Sequence, residues 1–155
     1  MGLTLRFNLR LMKTVKNRPE FRNVSIPALL PYVARFPAPA WVSLLHRVSG
    51  VLMFLLLPAV IWAFDASLRS EVSFARLKSV FNDGYGLLPG WGLKLVALAI
   101  LWAYTHHLVA GIRFVVLDVK HSAVQKERAA RSARWVLIVS IAITVVLGAK
   151  IFSWY

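Results

Sequence analysis

The chain has 155 residues, 59% of them hydrophobic, yet it carries 19 Lys and Arg against 6 Asp and Glu, a formal charge of +13. A soluble domain of this size is about half apolar, so this composition excludes an ordinary globular core and suits a membrane protein whose charges lie outside the bilayer. With no cysteine, the chain has no thiolate for a disulfide, a zinc site or an iron–sulfur cluster.

Residues 1–40 read as a basic cytoplasmic arm. No early apolar run is long enough for a secretory signal, and basic residues continue to Arg35. Leu3-Thr4-Leu5-Arg6-Phe7-Asn8-Leu9-Arg10 alternates apolar and polar positions, as a strand or an interfacial segment does. The partner this arm predicts is anionic phospholipid or a soluble protein, not nucleic acid. Pro27, Pro31, Pro37 and Pro39 predict an extended, turn-rich approach over residues 26–40.

A first transmembrane helix is expected over residues 41–64, kinked at Pro58. An outer (periplasmic) loop follows over 65–91, a second helix over 92–117, a cytoplasmic loop over 118–134 and a third helix over 135–155. Each helix holds about the 20 mostly apolar residues that a span requires, and backbone satisfaction in lipid demands that it be helical throughout. Trp41, Trp62, Trp91, Trp135 and Trp154 stand near the expected ends, as an aromatic belt does. Residues 1–47 hold eight Lys and Arg against Glu20, and residues 113–134 hold six against Asp118 and Glu127. The intervening loop balances Arg69, Arg76 and Lys78 against Asp65, Glu71 and Asp83. The positive-inside rule therefore predicts an N-in/C-out topology. The expected fold class is an all-α integral membrane protein with three transmembrane helices.

Polar residues inside such spans carry the chemistry. Ser43, His46, Arg47 and Gly50 follow an i, i+3, i+4, i+7 spacing on one helix face. Arg47 lies below the headgroups, where a guanidinium holds an anion or polarises a carbonyl, and Ser43 offers a hydroxyl one turn away. The plainer role is anchoring, with Arg47 snorkelling to phosphates. His107 lies about 16 Å along its helix from Asp118, near the middle of the hydrocarbon. A neutral imidazole there needs a partner, either a metal or a hydrogen bond within the helix packing. Ala103, His107 and Gly111 share one stripe, whose small residues leave room for a flat macrocycle or for a close helix. His106 is rotated by about 100° and reads as a packing residue or a polar contact to a partner helix. One histidine cannot fill both axial positions of a six-coordinate haem. His46 is expected nearer the cytoplasmic surface and His121 lies in a loop, so a second ligand would come from another polypeptide.

Ser43-Leu44-Leu45-His46-Arg47-Val48-Ser49-Gly50 resembles the S-x-x-H-R-x-[ST]-G signature of the cytochrome b membrane-anchor subunits of succinate dehydrogenase (complex II). His107-Leu108-Val109-Ala110-Gly111-Ile112-Arg113, followed by Asp118, resembles their second signature, H-x-x-x-G-I-R. Arg18-Pro19 and Arg35-Phe36-Pro37 match the usual lead-in, and the resemblance runs from about residue 18 to the end. It implies haem b, with His107 as an axial ligand and a second membrane-anchor subunit supplying the other haem histidine and completing a helical bundle. It implies a ubiquinone pocket lined by Ser43 and Arg47, with His46, Arg47, Gly111 and Arg113 around the haem propionates. It further implies a flavoprotein and an iron–sulfur subunit on the cytoplasmic side. The chain would then serve electron transfer from succinate to quinone without oxidising succinate itself. Phe114 stands where the family often has histidine, and residues 1–17 lie outside the resemblance. The alternatives are a quinol:fumarate reductase anchor and a haem-free small transporter or anchor. The expected location is a bacterial inner (cytoplasmic) membrane, with the mitochondrial inner membrane as the alternative.

Overall fold

The computed structural model describes residues 25–153, so the alternating segment Leu3–Arg10 and the basic stretch around it lie outside the described residues. The chain divides into two units, Met1–Arg35 and Phe36–Tyr155.

In the first unit a short helix, α1 (Ile26–Val33), replaces the extended approach expected there. The proline pattern misleads for a physical reason. Pro27 falls in the first turn, where the N–H it lacks has no intrahelical partner anyway, and its fixed φ suits a helix start. Pro31 then removes a single bond inside the helix.

The second unit is built from α2 (Ala38–Arg69), α3 (Glu71–Asp83), α4 (Gly90–Val119), a 3-10 turn (His121–Val124) and α5 (Lys126–Ser153). α2, α4 and α5 each contain an apolar stretch long enough to cross a membrane. α2 opens with proline in its first turn and runs through Pro58 to Arg69 without interruption. Its last turn carries the i, i+4 ion pair Asp65–Arg69, 2.5 Å between charged atoms. α5 starts at Lys126 rather than at 135. Hydropathy hides that extension because residues 126–134 are charged, yet most of them are good helix formers, and Glu127 in the first turn complements the helix dipole.

The expected outer loop also contains a helix. Ser70 alone breaks the path between α2 and α3, and it caps α3 reciprocally. Its Oγ accepts from the Ser73 N–H at 3.1 Å, and its own N–H donates to Ser73 Oγ at 3.1 Å. α3 stops at Gly84, whose φ of 100° and ψ of 179° lie in a region open essentially to glycine alone. A Cβ there would also stand 2.5 Å from the Leu88 carbonyl oxygen. Gly84→Ala is therefore expected to cost about 1–3 kcal/mol. The check is thermal unfolding of the detergent-purified complex, and an unchanged midpoint would contradict it.

α4 packs against both α2 and α5. The buried centre is small and apolar: Val42, Ala110, Ala133 and Val136, with Val109, Phe114 and Leu137 against it. Such residues let helix backbones approach where lipid gives no hydrophobic drive for association. The α4–α5 seam also carries buried hydrogen bonds. Thr105 Oγ1 lies 2.9 Å from Thr144 Oγ1, and His106 Nδ1 lies 3.2 Å from Ser140 Oγ. His106 is fully buried and stacks on Trp102 with ring centres 5.4 Å apart. Its Nε2 has no hydrogen-bond partner among the described residues. His106 thus sits in the core of its own bundle. The outward residues of α2, among them Phe54, Leu55, Ile61 and Phe64, are apolar and exposed, as a lipid-facing or subunit-facing helix requires.

Candidate functional site

The next histidine of α4, about 100° further round the helix, faces α2. His107 Nδ1 lies 3.1 Å from the His46 backbone carbonyl oxygen and 3.2 Å from Ser49 Oγ. Ser49 Oγ in turn donates to the same carbonyl at 2.8 Å. A carbonyl only accepts, so Nδ1 carries the ring proton and Nε2 keeps its lone pair. The imidazole is held in one tautomer and one orientation by a backbone group of the neighbouring helix.

His46 lies flat against His107, with ring centres 4.0 Å apart and 16° between planes. Phe114 closes the other side of His46 edge-on, at 5.2 Å and 66°. Each histidine faces a glycine on the opposite helix. A Cβ on Gly50 would meet His107 Cε1 at 3.1 Å, and a Cβ on Gly111 would meet His46 Nε2 at 3.6 Å. A small residue is therefore needed at Gly50, while Gly111 has ordinary contact distance to spare. Gly111 lies against His46, a neighbour from α2.

Two expectations from the sequence are corrected by this packing. His46 was expected nearer the surface than His107, but the rings are in contact. Depths counted along each helix are measured from that helix's own end, and nothing obliges the ends of α2 and α4 to be level. The second correction concerns the first motif, from which Arg47 departs. On α2, Val42 and Ser49 are buried, Ser43, His46 and Gly50 are half-buried, and Arg47 is exposed. Arg47 follows His46 by one residue, about 100° around the helix, and turns away from the ring pair.

Arg113 is buried and committed to α5. Its Nε donates to Ser132 Oγ at 3.0 Å and its Nη2 to the Ala129 carbonyl at 3.0 Å, with the guanidinium over the Phe114 ring at 5.6 Å. Two of its three nitrogens are thereby committed to the α4–α5 seam.

Sequence reasoning gave Ser49 no role, although it lies three residues after His46 and so shares its face. That spacing was the available signal. The Phe114 contact had none, since only the crossing of the two helices creates it.

These residues suit a metal-bearing group. A ligating histidine commonly donates its second ring N–H to a backbone carbonyl, which fixes the ring and raises its basicity. His107 has that partner, and Nε2 has no hydrogen bond among the described residues. His46 is not an opposing ligand. Face-to-face stacking sets its nitrogens beside those of His107, not across an ion from them.

The family model described as "Succinate dehydrogenase/Fumarate reductase transmembrane subunit" matches residues 16–147. The chain is 35% identical over 83 residues to the succinate dehydrogenase cytochrome b556 subunit of Coxiella burnetii. That alignment covers 54% of this chain and 62% of the relative, so the likeness spans about three fifths of the curated protein's length.

Proposed function

Because this chain belongs to the succinate dehydrogenase/fumarate reductase transmembrane subunit family, we propose that it holds one face of a haem b and helps form the quinone-reduction site. It is a multi-pass protein of the bacterial inner membrane. In this reading it anchors an iron–sulfur subunit and a flavoprotein subunit at the cytoplasmic surface, in an N-in/C-out topology. The excess of Lys and Arg before α2 and around the α4–α5 turn supports that orientation by the positive-inside rule.

The observation that carries the proposal is the locked imidazole of His107, whose Nδ1–H is taken by the His46 carbonyl and whose Nε2 is left to ligate. Haem b, when bound, supplies one-electron transfer within the membrane. A second anchor subunit would supply the other haem histidine and would cover the faces of His107 and His46 that this chain leaves half-open. His46 buttresses the ligand ring by stacking.

Ser43 and Arg47 stand at the membrane-entry end of α2, outside the ring pair. There a hydroxyl and a guanidinium hydrogen-bond a ubiquinone carbonyl and stabilise the negative charge that develops on it. The name of the Coxiella relative favours succinate oxidation over fumarate reduction as the working direction.

The test is quinone reduction by the purified complex carrying Ser43→Ala or Arg47→Ala, with succinate oxidation by a soluble dye as the control. Each variant is expected to lose about 100-fold in quinone kcat/KM, the usual cost of one donor to a developing oxyanion, while the dye reaction and the reduced-minus-oxidised spectrum stay unchanged. Undiminished quinone reduction in both variants would remove the pocket assignment. An assembled wild-type complex with no b-type spectrum would remove the haem.

A further inference from the structure

A second feature lies on the opposite side of α4 from the histidine pair, and it does not depend on the haem reading. At the basic end of the bundle a cavity of about 460 Å³ opens between α4 and α5. Val116, Val136 and Val139 form its apolar wall, and Trp135 stands exposed at its edge. Around it are three cations, Arg113, Lys120 and Arg128.

Arg113 is only 7% exposed, and a guanidinium that deep is costly unless an anion compensates it. None does among the described residues. Asp118 and Glu127, the acids nearest in sequence, do not line the cavity, and none of the three cations is in an ion pair among the described residues. Two of the Arg113 nitrogens are held by Ser132 and Ala129, which aims the fork and leaves Nη1 without a hydrogen bond among the described residues. Arg128 is steadied at the rim by its bond to the Ser122 carbonyl at 3.4 Å.

An occupant must therefore combine a negative head with an apolar tail. Inorganic phosphate answers the charge but leaves the valine wall wet. A neutral lipid covers the wall but leaves three cations uncompensated. Basic pockets between membrane helices on the cytoplasmic side recognise anionic headgroups, and a tryptophan at the mouth marks the depth at which a headgroup sits. We propose that this cavity holds one anionic phospholipid, its phosphate on Arg113, Lys120 and Arg128 and an acyl chain along Val116, Val136 and Val139.

The test counts lipids on the intact, detergent-purified complex by native mass spectrometry. Phosphatidylglycerol or phosphatidylcholine of matched chains is added, with and without inorganic phosphate. Lys120→Gln/Arg128→Gln is the comparison because both side chains are exposed and neither holds the bundle together. Wild type is expected to keep one more phosphatidylglycerol than the double variant, with at least tenfold tighter binding, and to show no such difference for phosphatidylcholine. Equal phosphatidylglycerol binding by the two proteins overturns the proposal. So does phosphatidylcholine binding that falls equally in the variant, which makes the site a neutral groove. Displacement of the lipid by millimolar phosphate also overturns it, as that identifies a free-anion site.

Discussion

His107→Ala is expected to strip the b-type signal from the complex while the subunits still co-purify. Loss of a group that merely orients a metal ligand costs about 10–100-fold in metal affinity, and loss of the ligand itself costs more. The helix should survive the change. Alanine is the best helix former, and the cavity it leaves faces a seam that a second subunit covers in the proposed assembly. The measurement is a dithionite-reduced minus oxidised visible spectrum of wild type and variant at equal protein. Haem persisting with an unchanged spectrum would take the ligand role away from His107. A subunit that no longer co-purifies would call for His107→Gln, which retains hydrogen bonding toward the His46 carbonyl but not the imidazole. Loss of haem with assembly intact in that variant separates ligation from packing.

The second large effect is expected from Gly50→Val, which touches no ligand atom. Even a single Cβ at Gly50 comes within 3.1 Å of His107 Cε1, and the branched methyls of valine need more room than that. The ring cannot yield without lengthening its bonds to the His46 carbonyl and Ser49, because those partners sit on the same turn of α2. The variant should therefore keep His107 yet hold haem about 10–100-fold more weakly, with a displaced absorption band, as loss of outer support does. Gly111→Ala, with 3.6 Å available beside His46 Nε2, is the matched control and should be nearly silent. If Gly50→Val binds haem as wild type does, the close approach of the helices is not what positions the ring.

Much of this arrangement was legible in the chain, and the exceptions are instructive. Three apolar stretches announced three long helices, and each was found, because the cost of unpaired amides in lipid leaves no other solution. The helices outside the hydrocarbon were not legible. α1, α3 and the first turns of α5 are set by proline placement, a serine cap and local helix propensity, none of which a search for spans registers. Within the site, His107 stood out because an imidazole deep in a span is conspicuous. Ser49 did not, since a serine three residues from a histidine is unremarkable until the facing helix is in place. Arg47 and Arg113 mark the limit of linear spacing. Each belongs to a motif whose linear spacing suggests convergence, and helix rotation sends one outward and the other onto α5.

The two seams of α4 are unequally fastened. Toward α5, side-chain hydrogen bonds occur at Thr105, His106 and Arg113, spread over two turns and more. Toward α2, among the described residues, the side-chain hydrogen bonds gather at one place, the His107 ring with Ser49 and the His46 carbonyl. Each such bond contributes about 0.6 kcal/mol in a membrane, so the polar fastening of α4 to α5 is distributed while that of α4 to α2 is concentrated at His107. A prosthetic group held by His107 would be a clasp as well as a cargo, since it would sit where the side-chain hydrogen bonds of the α2 seam gather.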